Sequence, residues 1–322
     1  MRIGAHVSVA GGLARAVGNA TDAGCESLQV FVSNARGWAP PPVDPAGDER
    51  FRADLASAGL GPLFVHAPYL VNFASASPVT RERSREVVAA TLAKAAAIGA
   101  AGVVVHAGAA LASGREAGLA TTREALLPLA DRLPGRDGPD LVLELTAGTR
   151  GALAARFEEM AELLAACDHH PRLKVCMDTC HAHAAGYDLS DPVSVTKTLD
   201  ELFATLGDRV VLIHANDSRD PAGAGRDRHC PIGTGTIGDP GFTAILAHPG
   251  LATLPIITET TGDPTQMAAD LARLHRLRPG GHRPGDWPST TAPSRGVSTT
   301  ESPVMKPALE AVVYWSPTVW KP

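Results

Sequence analysis

Five histidines and four carboxylates recur along the chain, most of them where a short apolar run ends: His66, His106, Glu144, Asp178, His181, His214, Asp227, His229 and Glu259. Imidazole and ionised carboxylate are metal ligands, and nine donors are too many for one ion while suiting a cluster of two or three. With no thiolate among them the set suits zinc or manganese, and five imidazoles tilt the choice toward zinc; calcium and magnesium prefer all-oxygen shells. A carboxylate such as Glu144 or Glu259 can bridge two ions. Ions about 3.5–4 Å apart stabilise both the attacking and leaving oxygens of an in-line phosphoryl displacement. The chemistry expected is therefore hydrolysis of a phosphate ester without a Ser, Cys or His nucleophile.

Two segments are dense in donors. Asp178-Thr179-Cys180-His181-Ala182-His183 puts an acid and an imidazole three residues apart just past a strand end, and spacing alone does not separate His181 from His183. Asp227-Arg228-His229 brings a second pair to one side of a turn, and its flanking glycines (Gly223, Gly225, Gly233, Gly235, Gly238) describe a flexible loop able to fold over an ion. Cys180 and Cys230 lie near these donors, but one thiol apiece does not make a structural zinc site; they are expected to support or pack.

To gather donors so far apart in sequence, the elements must converge. Short β-rich runs cover Arg2–His6, Ser27–Val32, Pro62–His66, Gly102–His106, Asp140–Glu144, Leu173–Asp178, Arg209–His214 and Leu254–Glu259. Helical patterns lie between them, among them Arg81–Ile98, Arg156–Ala166, Val193–Leu206 and Thr265–Leu277. Eight strands each followed by a helical segment predict a (β/α)₈ TIM barrel with its site at the C-terminal rim of the strands. A doubly wound sheet would more often carry Gly-x-Gly-x-x-Gly after its first strand, which Ala10-Gly11-Gly12 is not. Six runs end on a donor, and His6 ends a seventh. One such residue could be a cap; seven in register point to a shared site.

The chain has 322 residues, 44% of them hydrophobic, and a net charge of −5. No run approaches the roughly 18 apolar residues of a membrane helix, so no membrane role is expected. The N-terminus lacks the pattern of a secretory signal. Five cysteines without a CxxC pair suggest reduced thiols and a cytoplasmic protein. The acidic balance argues against coating nucleic acid by bulk charge, although three divalent ions would bring the molecule to about +1. The barrel is expected over residues 1–277. Residues 278–322, rich in Pro, Gly, Ser and Thr up to Pro307, read as a disordered tail.

The segments Gly4-Ala5-His6-Val7-Ser8, Glu144-Leu145-Thr146-Ala147-Gly148, Asp178-Thr179-Cys180-His181-Ala182, His214-Ala215-Asn216-Asp217-Ser218 and Arg226-Asp227-Arg228-His229 resemble those of the endonuclease IV family, co-linearly from Arg2 to about Leu277. The resemblance implies a TIM barrel with three zinc ions, with manganese able to fill part of the sites. It implies hydrolysis of the phosphodiester 5′ to an abasic site in DNA base-excision repair, leaving a 3′-hydroxyl and a 5′-deoxyribose phosphate. His66, His106 and Glu144 would hold one ion; Glu144, Asp178, His214 and Glu259 a second; His181, Asp227 and His229 the third. That scheme selects His181 over His183 and makes Glu144 and Glu259 the catalytic carboxylates. The implied partner is double-stranded DNA containing an abasic site, bound by a monomer. Arg36, Tyr69 and Leu70 match positions that fill the gap left when the abasic nucleotide is flipped out, where little stacking is lost.

Leu145 and Ala107 replace a usual Asn and Pro, Cys230-Pro231 alters the loop after His229, and His183 stands where an apolar residue is frequent. Two other functions fit parts of the pattern. A sugar isomerase or epimerase of a related barrel would use one ion on Glu144, Asp178, His214 and Glu259, leaving the other five donors idle. A non-catalytic binder of damaged DNA would need no hydrolysis at all.

Overall fold

In a computed structural model that describes residues 1–133, 138–259 and 263–281, eight parallel strands close into a barrel. They are β1 (Arg2–His6), β2 (Ser27–Phe31), β3 (Leu63–His66), β4 (Gly102–His106), β5 (Asp140–Glu144), β6 (Leu173–Asp178), β7 (Val210–His214) and β10 (Pro255–Thr258). Each pairs with its sequence neighbour in the ring, and β10 closes it between β7 and β1. A two-stranded antiparallel pair, β8 (Asp217–Ser218) with β9 (His229–Cys230), sits outside the ring. Most of the segment expected to be a tail, 282–322, lies outside the described residues. Just beyond the last helix, Arg278 still pairs with Glu26 at 2.9 Å.

The alternation along the strands explains how the site is placed. Successive side chains point to opposite faces, so residues two apart share one. One face carries Ile3, Leu28, Val30, Val65, Val103, Leu143, Val175, Ile213 and Ile256, buried together with the helices in the main core. The other face points into the barrel, where Phe64, Val104, Val142, Cys176, Leu212 and Ile257 form a separate buried cluster. Two residues beyond each member of that plug stand His66, His106, Glu144, Asp178, His214 and Glu259. The donor layer therefore rests on an apolar floor of close-packed side chains. At Gly4 the strands approach too closely for a side chain, because a Cβ would lie 1.8 Å from the Ser27 carbonyl oxygen.

The helices follow the predicted patterns, three starting one to three residues earlier and one, at Phe157, a residue later. They include α2 (Pro45–Ser57), α3 (Pro78–Ala97), α5 (Phe157–Ala166), α7 (Pro192–Leu206) and α9 (Pro264–Leu277), flanked by α1 (Leu13–Ala23), α4 (Arg115–Asp131), α6 (Thr179–Ala184) and α8 (Gly238–Ala247). Four open on proline at the first turn behind a capping Asp44, Ser77, Asp191 or Asp263. Proline is tolerated there because its missing N–H has no intrahelical partner anyway. Strand bounds shift by a residue too: β7 begins at Val210 because Gly207–Arg209 forms a 3₁₀ turn, and Glu259 stands just past β10.

Candidate metal centre

The rim of the barrel brings the nine predicted donors into three contiguous groups: His66, His106 and Glu144; Glu144, Asp178, His214 and Glu259; and His181, Asp227 and His229. Within each, one ligand atom per residue lies within 4.8 Å of the others. Glu144 belongs to two groups and is fully buried. Its Oε2 is 3.2 Å from His66 Nε2 and 3.3 Å from His106 Nε2, while its Oε1 is 2.9 Å from His214 Nδ1. His181 Nε2 and His229 Nε2 lie 3.2 and 3.0 Å from the two oxygens of Asp227.

The strand ends and α6 dictate these positions. Asp178 closes β6 and caps α6, its Oδ1 accepting the His181 N–H at 3.0 Å. Its Oδ2 accepts the Asn216 side-chain amide at 2.6 Å and stays among the donors. One turn of helix then presents His181 to the site and carries His183 elsewhere. His183 Nδ1 accepts the Leu189 N–H at 3.2 Å, and its Nε2 meets Thr236 Oγ1 at 3.2 Å, so His183 is a packing residue. The loop with Asp227 and His229 is better held than its glycines suggest. The β8–β9 pair clamps its base, and Arg228 pairs with Asp220 across it.

The donor set fits metal ions in two ways that do not depend on residue type alone. First, His66 Nδ1 donates to the Ala67 carbonyl at 2.7 Å and His181 Nδ1 to the Leu145 carbonyl at 2.9 Å, which leaves Nε2 of each ring bare toward the site. Fixing the tautomer in this way is how proteins orient metal-ligating imidazoles. Second, His229 Nε2 is buried without a hydrogen-bond partner although Asp227 lies 3.0 Å away. Two donor atoms that close, not bonded to each other, can share an ion.

Charge in the cluster is strongly coupled. Burial alone would raise the Glu144 and Glu259 carboxyls, yet His214 beside both holds them well below the usual range. Burial raises Asp227 too, and the neighbouring His181 and His229 imidazoles overcome it. Burial opposes charge on both His181 and His214, but Asp178, Asp227 and Glu144 around the first, and Cys176 with Glu259 and Glu144 around the second, push them well above the ordinary imidazole range. Ions held by these residues would have to displace those protons, so metal loading is expected to weaken as pH falls.

The departures from the family pattern leave the donors intact. Leu145 buries its side chain in the core while its carbonyl orients His181. Ala107 donates its N–H to the Glu144 carbonyl at 3.1 Å, a bond proline could not make. Cys230 sits in β9, opposite Asp217. Cys176 and Cys180 come near the clusters, but burial pushes both thiols up to about 12, which opposes thiolate ligation. All five cysteines are free and buried, with Cys25 also pushed up to about 12. Iodoacetamide at neutral pH is therefore expected to leave the folded protein nearly unmodified and to alkylate all five thiols in denaturant, as intact mass would show.

Sequence reasoning passed over three residues. Gln29 lies between Glu259, His6 and His214. Asn216 bridges Asp178 and Glu259, and its Oδ1 accepts the Glu259 N–H at 2.8 Å. Asp217 accepts backbone N–H groups from Ser218, Gly233, Gly235 and Ile237 at 2.8–3.1 Å. For Gln29 a signal existed: a polar residue on the inward face of a strand.

Beside the centre, Arg36 stands exposed in a turn whose Ala35 carbonyl accepts the Tyr69 N–H at 2.9 Å, which joins the two loops. Tyr69 and Leu70 are 51% and 38% exposed, an unusual adjacent pair of large apolar side chains. The Tyr69 ring lies 5.6 Å from that of His66 and 6.0 Å from that of His106.

Residues 17–277 match the family described as xylose isomerase-like TIM barrel, in keeping with the closed ring of eight parallel strands. Within that class, a protein of Streptomyces coelicolor described as probable endonuclease 4 is 48% identical over 283 residues, 86% of this chain and 95% of its own length. One of Methanoculleus marisnigri with the same description is 36% identical over 86% of this chain and 97% of its own. The crystal structure of endonuclease IV from Thermus thermophilus superimposes with a TM-score of 0.76 at 38% identity, covering 86% of this chain and 98% of that one. The chain belongs to the endonuclease IV family. A D-tagatose 3-epimerase-like protein shares the fold, with a TM-score of 0.66 at 19% identity.

Proposed function

We propose that the protein is a DNA-repair hydrolase that cleaves the phosphodiester 5′ to an abasic site, leaving a 3′-hydroxyl and a 5′-deoxyribose phosphate. The observation that carries this reading is the sharing of Glu144 between two of three adjoining donor groups. A single-ion epimerase would use the quartet of Glu144, Asp178, His214 and Glu259 and leave His66, His106, His181, Asp227 and His229 without a task. Three zinc ions fit the imidazole-rich set, with manganese as a partial substitute. When bound, such ions supply an activated water and neutralise charge on the phosphate.

The chain's own residues do the rest. Glu144 and Glu259 hold the middle of the cluster, and Asn216 and Gln29 fix the angle of Glu259. Arg36, Tyr69 and Leu70 enter the duplex where the abasic nucleotide leaves the stack, a deformation that costs little at a site already lacking a base. Burial, with Glu259 and Glu144 nearby, pushes the Tyr69 phenol up to about 12, so the wedge stays neutral. The protein acts as a monomer, and its five unpaired thiols suit the cytoplasm.

Incision of a duplex with one abasic site by the purified protein, lost on exhaustive chelation, is the expected result. Binding without cleavage in the metal-loaded protein would favour a damaged-DNA binder. Arg36→Ala is expected to weaken binding of abasic duplex about 10-fold or more, the worth of a hydrogen bond to a charged group. Fluorescence anisotropy and elemental analysis together would show the loss at unchanged metal content.

A further inference from the structure

Two imidazoles of the centre have their tautomer set by a backbone carbonyl, and His214 does not follow that pattern. Its Nδ1, not Nε2, faces the donors, at 2.9 Å from Glu144, 3.3 Å from Glu259 and 4.0 Å from Asp178. To serve as a ligand through Nδ1, the ring must keep its proton on Nε2. That atom lies 3.0 Å from Oε1 of Gln29, a fully buried residue on β2.

The orientation of the Gln29 amide follows from its other end. Nε2 is 2.7 Å from Glu259 Oε1, and a carboxylate oxygen only accepts. Its second proton is directed at His6 Nδ1, 3.0 Å away. Flipping the amide would bring two oxygens to 2.7 Å and would present an NH₂ group to His214. His214 Nε2 would then have to accept, and the proton would move to Nδ1 and close the site to an ion. The amide has one workable orientation, in which its oxygen faces His214.

We infer that Gln29 is the positioning residue of the central ion site. Its carbonyl holds the His214 proton on Nε2 and bares Nδ1, while its amino group holds the Glu259 carboxylate in the same site. A residue on β7 and another just past β10 are thus aligned by one side chain on β2. This rests on the metal reading above and deepens it.

The test is a zinc titration of demetallated wild-type protein, Gln29→Met and Gln29→Glu against a chromophoric chelator. Methionine keeps the volume and removes both hydrogen bonds; glutamate keeps an acceptor for His214 and loses the donor to Glu259. Gln29→Met is expected to weaken zinc binding by about 10–100-fold, the usual consequence of losing a partner that orients a ligand. Gln29→Glu, which sets a second carboxylate oxygen against Glu259 where the amide now donates at 2.7 Å, is expected to weaken zinc binding as well. Long-range ¹H–¹⁵N spectra of zinc-loaded, ¹⁵N-histidine-labelled wild-type protein should show His214 protonated at Nε2, a result that does not depend on either variant folding. Undiminished affinity in either variant, or a proton on Nδ1, would overturn the inference. Wild-type protein that takes no zinc would instead overturn the metal reading, and the inference with it.

Discussion

Glu259→Gln is expected to abolish incision while leaving the barrel folded. The side chain stands two residues beyond Ile257 on the inward face, with His214 Nδ1 at 3.3 Å, Asn216 Nδ2 at 3.1 Å and Gln29 Nε2 at 2.7 Å. Glutamine has nearly the same shape but no charge, and an amide nitrogen in either position would confront an N–H donor. The central site would lose an anionic ligand, a larger defect than the about 10–100-fold typical of losing a supporting partner. Some stability is lost, because His214 and His6 favour the charged Glu259 more than Glu144 repels it, but the apolar core beneath the side chain is untouched and the barrel stays folded. Gel assays of incision and far-UV circular dichroism check the two halves, and incision near the wild-type rate would remove Glu259 from the mechanism.

Asp217→Ala should damage the fold and the centre together. The buried carboxylate is the shared acceptor for the amides of Ser218, Gly233, Gly235 and Ile237. At Gly235 the approach is so close that a Cβ would lie 2.4 Å from Asp217 Oδ1. Each buried amide left without a partner costs about 1–3 kcal/mol, so even with water reaching some of them a loss of about 3–5 kcal/mol is expected. Asp217 in β8 faces Cys230 in β9, next to His229, so the loop carrying Asp227 and His229 loosens as well. Urea denaturation should show the lost stability, and elemental analysis should show about one ion fewer per chain as that donor group falls apart. Wild-type stability with full metal content would refute the clamp.

Much of the barrel was legible because every strand but β2 carries two messages. Its apolar alternation gives the period, and its last inward position carries a donor, as in Phe64 followed by His66 or Val142 followed by Glu144. A buried His or Glu in that position has few purposes other than a site. The rest was hidden for physical reasons. Gln29 and Asn216 are neutral amides whose worth lies in which neighbours they touch, and the closure of the barrel that brings the ends of β2, β7 and β10 to one rim decides that. Asp217 reads as one more acid in a polar loop until the chain from Gly233 to Ile237 wraps around it. His181 and His183 differ only in how α6 turns after Asp178 caps it. Spacing could not tell them apart, whereas the resemblance favoured His181, which the helix places toward Asp227 and His229.

Elemental analysis of incision-competent protein puts the central claim to its most direct test, because the claim is a number of ions held by strands that end together. Close to three equivalents of zinc or manganese per chain, falling to none together with activity under chelation, is the predicted result. A fully active protein holding a single ion would contradict the account, since five of the nine donors would then have no ion to hold.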